Sequence, residues 1–187
     1  MNPYISLAKA AVENYIRKKK IIEPPKNLPK DFFTKKSGVF VTIKKRKEIR
    51  GCIGTYLSTK ENLAKEIIFN AIAAATEDYR FGQIQKEELP CLSYTVYILN
   101  KPELVKEIGE LNPKKYGIII KTVPIHYSDR AEVMFNGHTP PKSGLLLPDL
   151  DGIDTVEQQI SIACQKGGIN PLREKIIIYK FTVEKYQ

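Results

Sequence analysis

The sequence has two histidines, three cysteines and no tryptophan among its 187 residues. Cys52, Cys91 and Cys164 are odd in number and far apart, so they form neither a disulfide framework nor a Cys-x2-Cys metal site. Without a Cys-x3-Cys-x2-Cys run, the chain cannot hold a radical-type iron–sulfur cluster by itself. No apolar run approaches the ~20 residues that a membrane span needs, and the N-terminus lacks the pattern of a signal peptide. We therefore predict a cytoplasmic protein with no membrane contact and no bound cofactor.

Positive charge is concentrated in the first quarter of the chain. Residues 1–50 hold 14 Lys and Arg against 4 Asp and Glu, whereas residues 51–187 hold 16 against 17. Two basic runs, at 17–20 and 44–47, account for much of this excess. Clustered basic residues are typical of nucleic-acid binding, but they also occur at solvated helix ends and hairpin turns. The second interpretation is favoured, because no aromatic residue interleaves either run to stack on a base.

The least generic stretch is Arg-Gly-Cys-Ile-Gly-Thr at 50–55. Strand alternation places Arg50 and Cys52 on one face. Gly51 and Gly54 pack poorly within a strand, so they indicate a bulge or a close approach by a ligand or another backbone. A cation and a thiol beside bare backbone form a candidate site. The structural alternative is a bulged strand with a buried cysteine, because free cysteine is usually a core residue.

Three further candidates lie in the loop after the helix that follows this strand. Asp78, Arg80 and Phe81 lie in this loop, and they complete, with Arg50 and Thr55, a predicted cleft for an anion. The alternative is that Asp78 and Arg80 form a local ion pair that holds the loop.

Catalysis by Cys52 as a nucleophile would require a nearby base or cation. A histidine is the usual partner, but both histidines lie in the 122–142 segment, which argues against a cysteine hydrolase. The same segment supplies metal-ligand types without a recognisable spacing, so no metal site is predicted. These residues are His126, Asp129, Glu132 and His138. The sequence therefore leaves open whether the protein is an enzyme.

Hydrophobic periodicity predicts an α+β fold built from two copies of a β-β-α-β unit. The first copy comprises strands at 38–44 and 49–55, a helix at 59–76 and a strand at 92–99. The second comprises strands at 116–121 and 144–147, a helix at 155–166 and a strand at 175–183. Ser58 and Glu61 have the form of a capping box for the first helix. We expect two similar lobes of mainly antiparallel sheet with packed helices, at about 1–100 and 101–187, plus an extra N-terminal helix.

The central motif resembles the signature of the AMMECR-one family, named for the Alport syndrome, midface hypoplasia and elliptocytosis chromosomal region. Further blocks resemble the family in its order: Ala-Ala-Ala-Thr at 73–76, Asp-Tyr-Arg-Phe at 78–81, Glu-Leu-Pro at 88–90, Lys-Tyr-Gly at 115–117 and Gly-Leu-Leu-Leu-Pro at 144–148. The resemblance covers nearly the whole chain as one domain. Against the family pattern, residues 122–142 form an apparent insertion.

The family's biochemical activity is not established, so the resemblance implies a fold and not a reaction. Family members are often encoded with a Memo-like domain and a radical-type iron–sulfur protein, which implies an accessory role in a modification pathway. The leading hypothesis is a binding or accessory module whose cleft holds an anionic small molecule or a partner segment. The alternatives are a cysteine-dependent enzyme using Cys52 and a basic protein associated with nucleic acid.

Overall fold

The computed structural model describes residues 2–123 and 141–187 of the chain. These residues form two compact units, Met1–Asn100 with Glu184–Gln187 (unit 1) and Lys101–Val183 (unit 2). The last four residues therefore fold with unit 1, whereas the sequence analysis placed them in the second lobe. The predicted insertion and the metal-ligand candidates fall largely or wholly at 124–140, outside the described residues. Among the described residues, no helix is both long and apolar enough to cross a membrane.

Helices and strands alternate in the way the repeat predicts. The helices of the described chain are α1 (Pro3–Lys18), α2 (Asp31–Thr34), α3 (Leu63–Thr76) and α4 (Val156–Lys166). The strands are β1 (Val39–Lys45), β2 (Glu48–Thr55), β3 (Leu92–Leu99), β4 (Glu103–Leu104), β5 (Gly117–Thr122), β6 (Ser143–Leu146), β7 (Ile176–Phe181) and β8 (Val183–Tyr186). Short 3-10 helices cover Lys86–Cys91 and Ile108–Glu110. The chain is thus a mixed helix and strand protein, as predicted.

Unit 1 is a four-stranded sheet in the order β2-β1-β3-β8, with α1 and α3 packed against it and against each other. Asn2 caps α1 by accepting a hydrogen bond from the Tyr4 amide, and Pro3 occupies the first helical position, which matches the preference for proline there. The apolar side chains of α1, α3 and the central strands form one buried cluster. Because β2 is the edge strand, backbone groups on its outer side can bond to the loop that follows α3.

Unit 2 is a four-stranded sheet in the order β4-β7-β5-β6, with α4 packed over β5 and β6. Thr155 caps α4 in a capping box with Gln158. Read from its other end, the order β6-β5-β7-β4 matches β2-β1-β3-β8 of unit 1 position by position. This equivalence agrees with the predicted internal duplication and provides an internal comparison for every residue of the candidate site.

Two predicted boundaries are wrong. Helix α3, predicted at 59–76, begins at Leu63 with Asn62 as its cap, and not at the Ser58 capping box. The reason is that the Ser58 hydroxyl bonds to the Glu66 carboxylate, which draws the segment before the helix into a loop. The last strand, predicted as one piece at 175–183, is divided into β7 and β8.

Candidate functional site

The central motif forms an edge strand with a bulge at Arg50. Ile43 pairs with Gly51 and Lys44 with Ile49, so Arg50 is the extra residue. A bulge bends the strand and re-aims its side chain. The predicted bulge is therefore confirmed, and the Arg50 side chain at this bulge reaches Gly82 and Glu88.

The Arg50 guanidinium is clamped within the protein. Its Nε and Nη2 donate to the two carboxylate oxygens of Glu88 at 3.0 and 2.9 Å, and Nη1 donates to the Gly82 carbonyl oxygen at 2.7 Å. Lys45 Nζ also donates to Glu88, at 2.9 Å. Arg50 thereby holds the pKa of Glu88 down at about 2. Glu88 was not among the predicted site residues, because its partners lie about 40 residues away in the chain.

Asp78 and Arg80 form the second ionic contact on this edge. Arg80 Nε and Nη2 donate to the two oxygens of Asp78 at 2.9 and 2.7 Å. The same carboxylate accepts the Cys52 backbone amide at 2.8 Å. Arg80, and then the Cys52 and Arg80 amides, hold the pKa of Asp78 down at about 2 even though the carboxylate is buried. The ion-pair alternative is thus observed, and Asp78 ties the loop to strand β2.

These contacts fix both ends of the segment at residues 77–82, which we call the exit loop. Asp78 anchors its start to Cys52, and Arg50 anchors its end at Gly82. Between the anchors, Tyr79 is 96% exposed. The Arg80 guanidinium lies 5.3 Å from the centroid of the Phe81 ring, which is half-buried. Tyr79 was not among the predicted site residues, although an aromatic residue between charged residues in a loop was a usable signal.

The thiol of Cys52 is half-buried, and its Sγ lies 3.2 Å from Thr42 Oγ1 on the neighbouring strand. Either atom can donate in this contact. His126 and His138, the histidines of the chain, lie outside the described residues. In the described chain, Cys52 contributes its backbone amide to the loop anchor and its side chain to the sheet face.

The two glycines of the motif meet other parts of the fold at close range. A Cβ on Gly51 would lie 2.0 Å from the Ala74 carbonyl oxygen of α3, and one on Gly54 would lie 2.3 Å from the Phe40 ring. Gly144 of β6 makes the equivalent contact in unit 2, because its Cβ would lie 1.8 Å from the Ala163 oxygen of α4. Gly51 in unit 1 and Gly144 in unit 2 therefore let the helix of each repeat approach its sheet closely. The prediction that Gly51 and Gly54 line a ligand site gains no support from these packing contacts.

Thr55 belongs to a separate buried cluster. Its hydroxyl donates to Glu66 at 2.6 Å, and the Glu66 carboxylate, fully buried, also accepts the Thr59 and Lys60 amides at 2.7 Å. Burial alone would raise the pKa of Glu66, but these hydrogen bonds, that of Thr55 first, outweigh burial and lower it. Glu66 was not among the predicted site residues. A lone carboxylate on the apolar face of a helix, four residues before Asn70, was the available signal.

Of the predicted site residues, the structure thus brings Arg50, Cys52, Asp78 and Arg80 together along the edge of β2 and leaves Thr55 elsewhere. In the described part of unit 2, an uncharged residue and an apolar residue take the positions of Arg50 and Cys52. Ser143 and Leu145 flank Gly144 where Arg50 and Cys52 flank Gly51. Because the fold forms without them in unit 2, the charged residues of unit 1 are not a requirement of the β-β-α-β unit.

Three comparisons place this architecture among known proteins. The AMMECR1 family profile matches residues 5–186. A protein of Thermotoga maritima is 46% identical over 187 residues, covering 100% of this chain and 98% of the relative. A Clostridium acetobutylicum protein is 37% identical over the whole chain, yet the match spans only 36% of that longer protein.

A solved structure has the same fold. The crystal structure of an uncharacterised protein from Pyrococcus horikoshii superimposes with a TM-score of 0.78 at 31% identity, covering 97% of this chain and 88% of that one. The motifs quoted from the sequence fall within the region matched by the family profile. The chain therefore belongs to the AMMECR1 family, which has no established biochemical activity.

Proposed function

We propose that the protein is an accessory module that docks onto a partner protein through its exit loop. One observation supports this most strongly: Tyr79 is almost fully exposed on a loop whose two ends are fixed by hydrogen bonds to charged side chains. Tyrosine and arginine are the residues most often found as binding anchors at protein interfaces. Here Tyr79 stands next to Arg80, which is 48% exposed.

The anchors reduce the cost of binding. A loop that is ordered before association loses less conformational entropy when its partner arrives. Asp78 and Arg50 provide that order with contacts of 2.7–2.9 Å, all half-buried except the exposed bond from Arg50 to the Gly82 carbonyl. The exit loop can therefore present Tyr79 in one conformation.

The same contacts argue against the small-anion cleft as the main function. The Arg50 guanidinium is occupied by Glu88, and that of Arg80 by Asp78. A free anion would have to displace an intramolecular carboxylate that is already positioned. A partner protein can instead use the exposed tyrosine without breaking either ion pair.

The longer Clostridium acetobutylicum relative suggests the kind of partner. In that protein about two thirds of the length lies outside the match, so an AMMECR1 domain is there covalently joined to further sequence. The resemblance stated for the motifs implies Memo-like and radical-type iron–sulfur proteins as associates. We propose that the exit loop docks onto a partner of this class.

Isothermal titration calorimetry provides the test. The probe is the region of the Clostridium acetobutylicum protein outside the match, produced as a separate polypeptide. The wild-type chain should bind this polypeptide. Tyr79→Ala should raise the dissociation constant about 30-fold, since truncation of an anchor residue costs about 2 kcal/mol or more. Leu172→Ala is the matched control, because Leu172 is 95% exposed in the segment after α4. An equal loss with both variants, or no binding by wild type, would contradict the proposal.

A further inference from the structure

The two basic runs border the same short segment of unit 1, although the sequence separates them by more than 20 residues. Lys19, at the end of α1, lines a cavity of about 210 Å³ together with residues 83–87. Lys45, in the β1–β2 hairpin, donates to Glu88 at the end of that segment. The segment at 83–88 has six residues and therefore spans less than about 20 Å, so the two basic runs lie within that distance along it. We define the basic surface as residues 17–20, residues 44–47 and Lys86.

Charge on the basic surface is mostly left exposed. In the sequence, three carboxylates lie within two residues of its nine basic side chains: Glu48, Glu87 and Glu88. Within the described chain, Lys45 is the member of the surface that forms a salt bridge, and its partner Glu88 is shared with Arg50. Lys45 is half-buried, and the other eight residues are exposed. The surface therefore presents a strong positive field to solvent.

Backbone conformation gives a second, independent observation. Four described residues other than glycine have positive φ, and three of them belong to the basic surface: Lys19 at 56°, Arg46 at 52° and Lys47 at 73°. Glycine and asparagine adopt this left-handed region at lower cost. A hairpin turn with two such residues strongly favours Asn-Gly. Basic residues thus occupy three positions where the backbone favours another residue type, which points to a function for their charge.

We infer that the basic surface binds the phosphate backbone of a nucleic-acid duplex without reading its sequence. Lysine, the main residue here, is depleted at protein–protein interfaces, which disfavours an acidic protein segment as the ligand. No aromatic residue interleaves the runs, so stacking on single-stranded bases is disfavoured as well. A duplex carries one charge per ~1.7 Å. A span of up to about 20 Å can therefore lie alongside at most about twelve phosphates of the two strands.

The test is fluorescence anisotropy of a labelled 20-base-pair DNA duplex, titrated with full-length protein between 50 and 300 mM KCl. The variant Lys19→Gly with Arg46→Asn and Lys47→Gly removes three charges and restores the residue types that the backbone favours. Affinity at 50 mM KCl should fall at least tenfold. The slope of log K against log[KCl] should become shallower by about 2.7, from about 0.9 per lost phosphate contact. The melting temperature should rise, because left-handed strain is relieved, so a folding defect cannot explain the loss.

The matched control removes three charges from exposed lysines of unit 2, with Lys101→Gln, Lys106→Gln and Lys175→Gln. It has the same net charge as the test variant and should keep wild-type affinity. Equal losses in the two variants, an unchanged test variant, or binding insensitive to salt would overturn the inference. Tighter binding to inorganic polyphosphate of matched phosphate number would also overturn it, because the duplex would not then be the preferred ligand.

Discussion

Replacing Asp78 by asparagine should release the exit loop from strand β2. Each carboxylate oxygen accepts two donors: Oδ1 from the Arg80 amide and Nε, and Oδ2 from the Cys52 amide and Arg80 Nη2. An asparagine must turn its NH2 group toward one of these pairs. In either orientation, the NH2 group faces two N–H donors that need an acceptor. The ion pair with Arg80 is also lost, because asparagine carries no charge.

The magnitude follows from the pKa of Asp78. Its depression from 3.8 to about 2 corresponds to about 2.4 kcal/mol of stability at neutral pH. Solvent at the half-exposed Arg80 lowers this figure, whereas the opposed donors add to the cost of the variant. We therefore expect Asp78→Asn to lower the free energy of unfolding by about 2–3 kcal/mol. Since the folded pKa is depressed, the contribution is complete above about pH 4 and is lost as pH falls through 2.

Urea unfolding of both proteins at pH 7 and at pH 2.5 tests this reasoning. The difference between wild type and Asp78→Asn should be largest at pH 7 and should shrink at pH 2.5. Asp151→Asn is the control, because Asp151 is exposed. A difference below about 0.5 kcal/mol at pH 7, or one that does not change with pH, would refute the anchoring role of Asp78.

Three other perturbations test the rest of the site. Glu66→Gln should lower the free energy of urea unfolding by about 1–3 kcal/mol, since the hydroxyl partners of Glu66 can rotate to accept from the NH2 group. Glu66→Leu should cost more, because two backbone amides lose their acceptor. Gly51→Ala should destabilise by more than about 3 kcal/mol, because its Cβ would lie 2.0 Å from a backbone oxygen of α3, whereas Gly82→Ala meets nothing within 4 Å and should be near neutral. Alkylation followed by mass spectrometry should modify the exposed Cys91 before the half-buried Cys52; faster reaction at Cys52 would favour the cysteine-enzyme hypothesis.

Local patterns predicted much of the fold. Asn2-Pro3 identified the start of α1, and apolar alternation identified the strands of both repeats, because these signals depend on neighbours within a few residues. The start of α3 was missed for the opposite reason. Ser58 and Glu61 satisfy the local rule for a capping box, but the buried Glu66 carboxylate competes for the Ser58 hydroxyl. Only the folded arrangement reveals that competition.

The candidate site shows the same limit. Arg50, Cys52, Asp78 and Arg80 could be singled out from residue type and spacing, and they do lie on one edge. Glu88 could not be assigned to Arg50, because 38 residues separate them in the chain. The predicted role of Arg50 as an anion ligand required a guanidinium free of other carboxylates, but the Glu88 carboxylate already accepts its hydrogen bonds.

Hydrogen–deuterium exchange can show whether the exit loop is ordered in the free protein and whether it is the docking site. Exchange is measured on the full chain alone and with a saturating amount of the Clostridium acetobutylicum region outside the match. The account predicts that amides of residues 77–82 exchange slowly for a loop in the free protein and become further protected in the complex. Fast exchange of the free loop, or protection that develops only in unit 2, would contradict it.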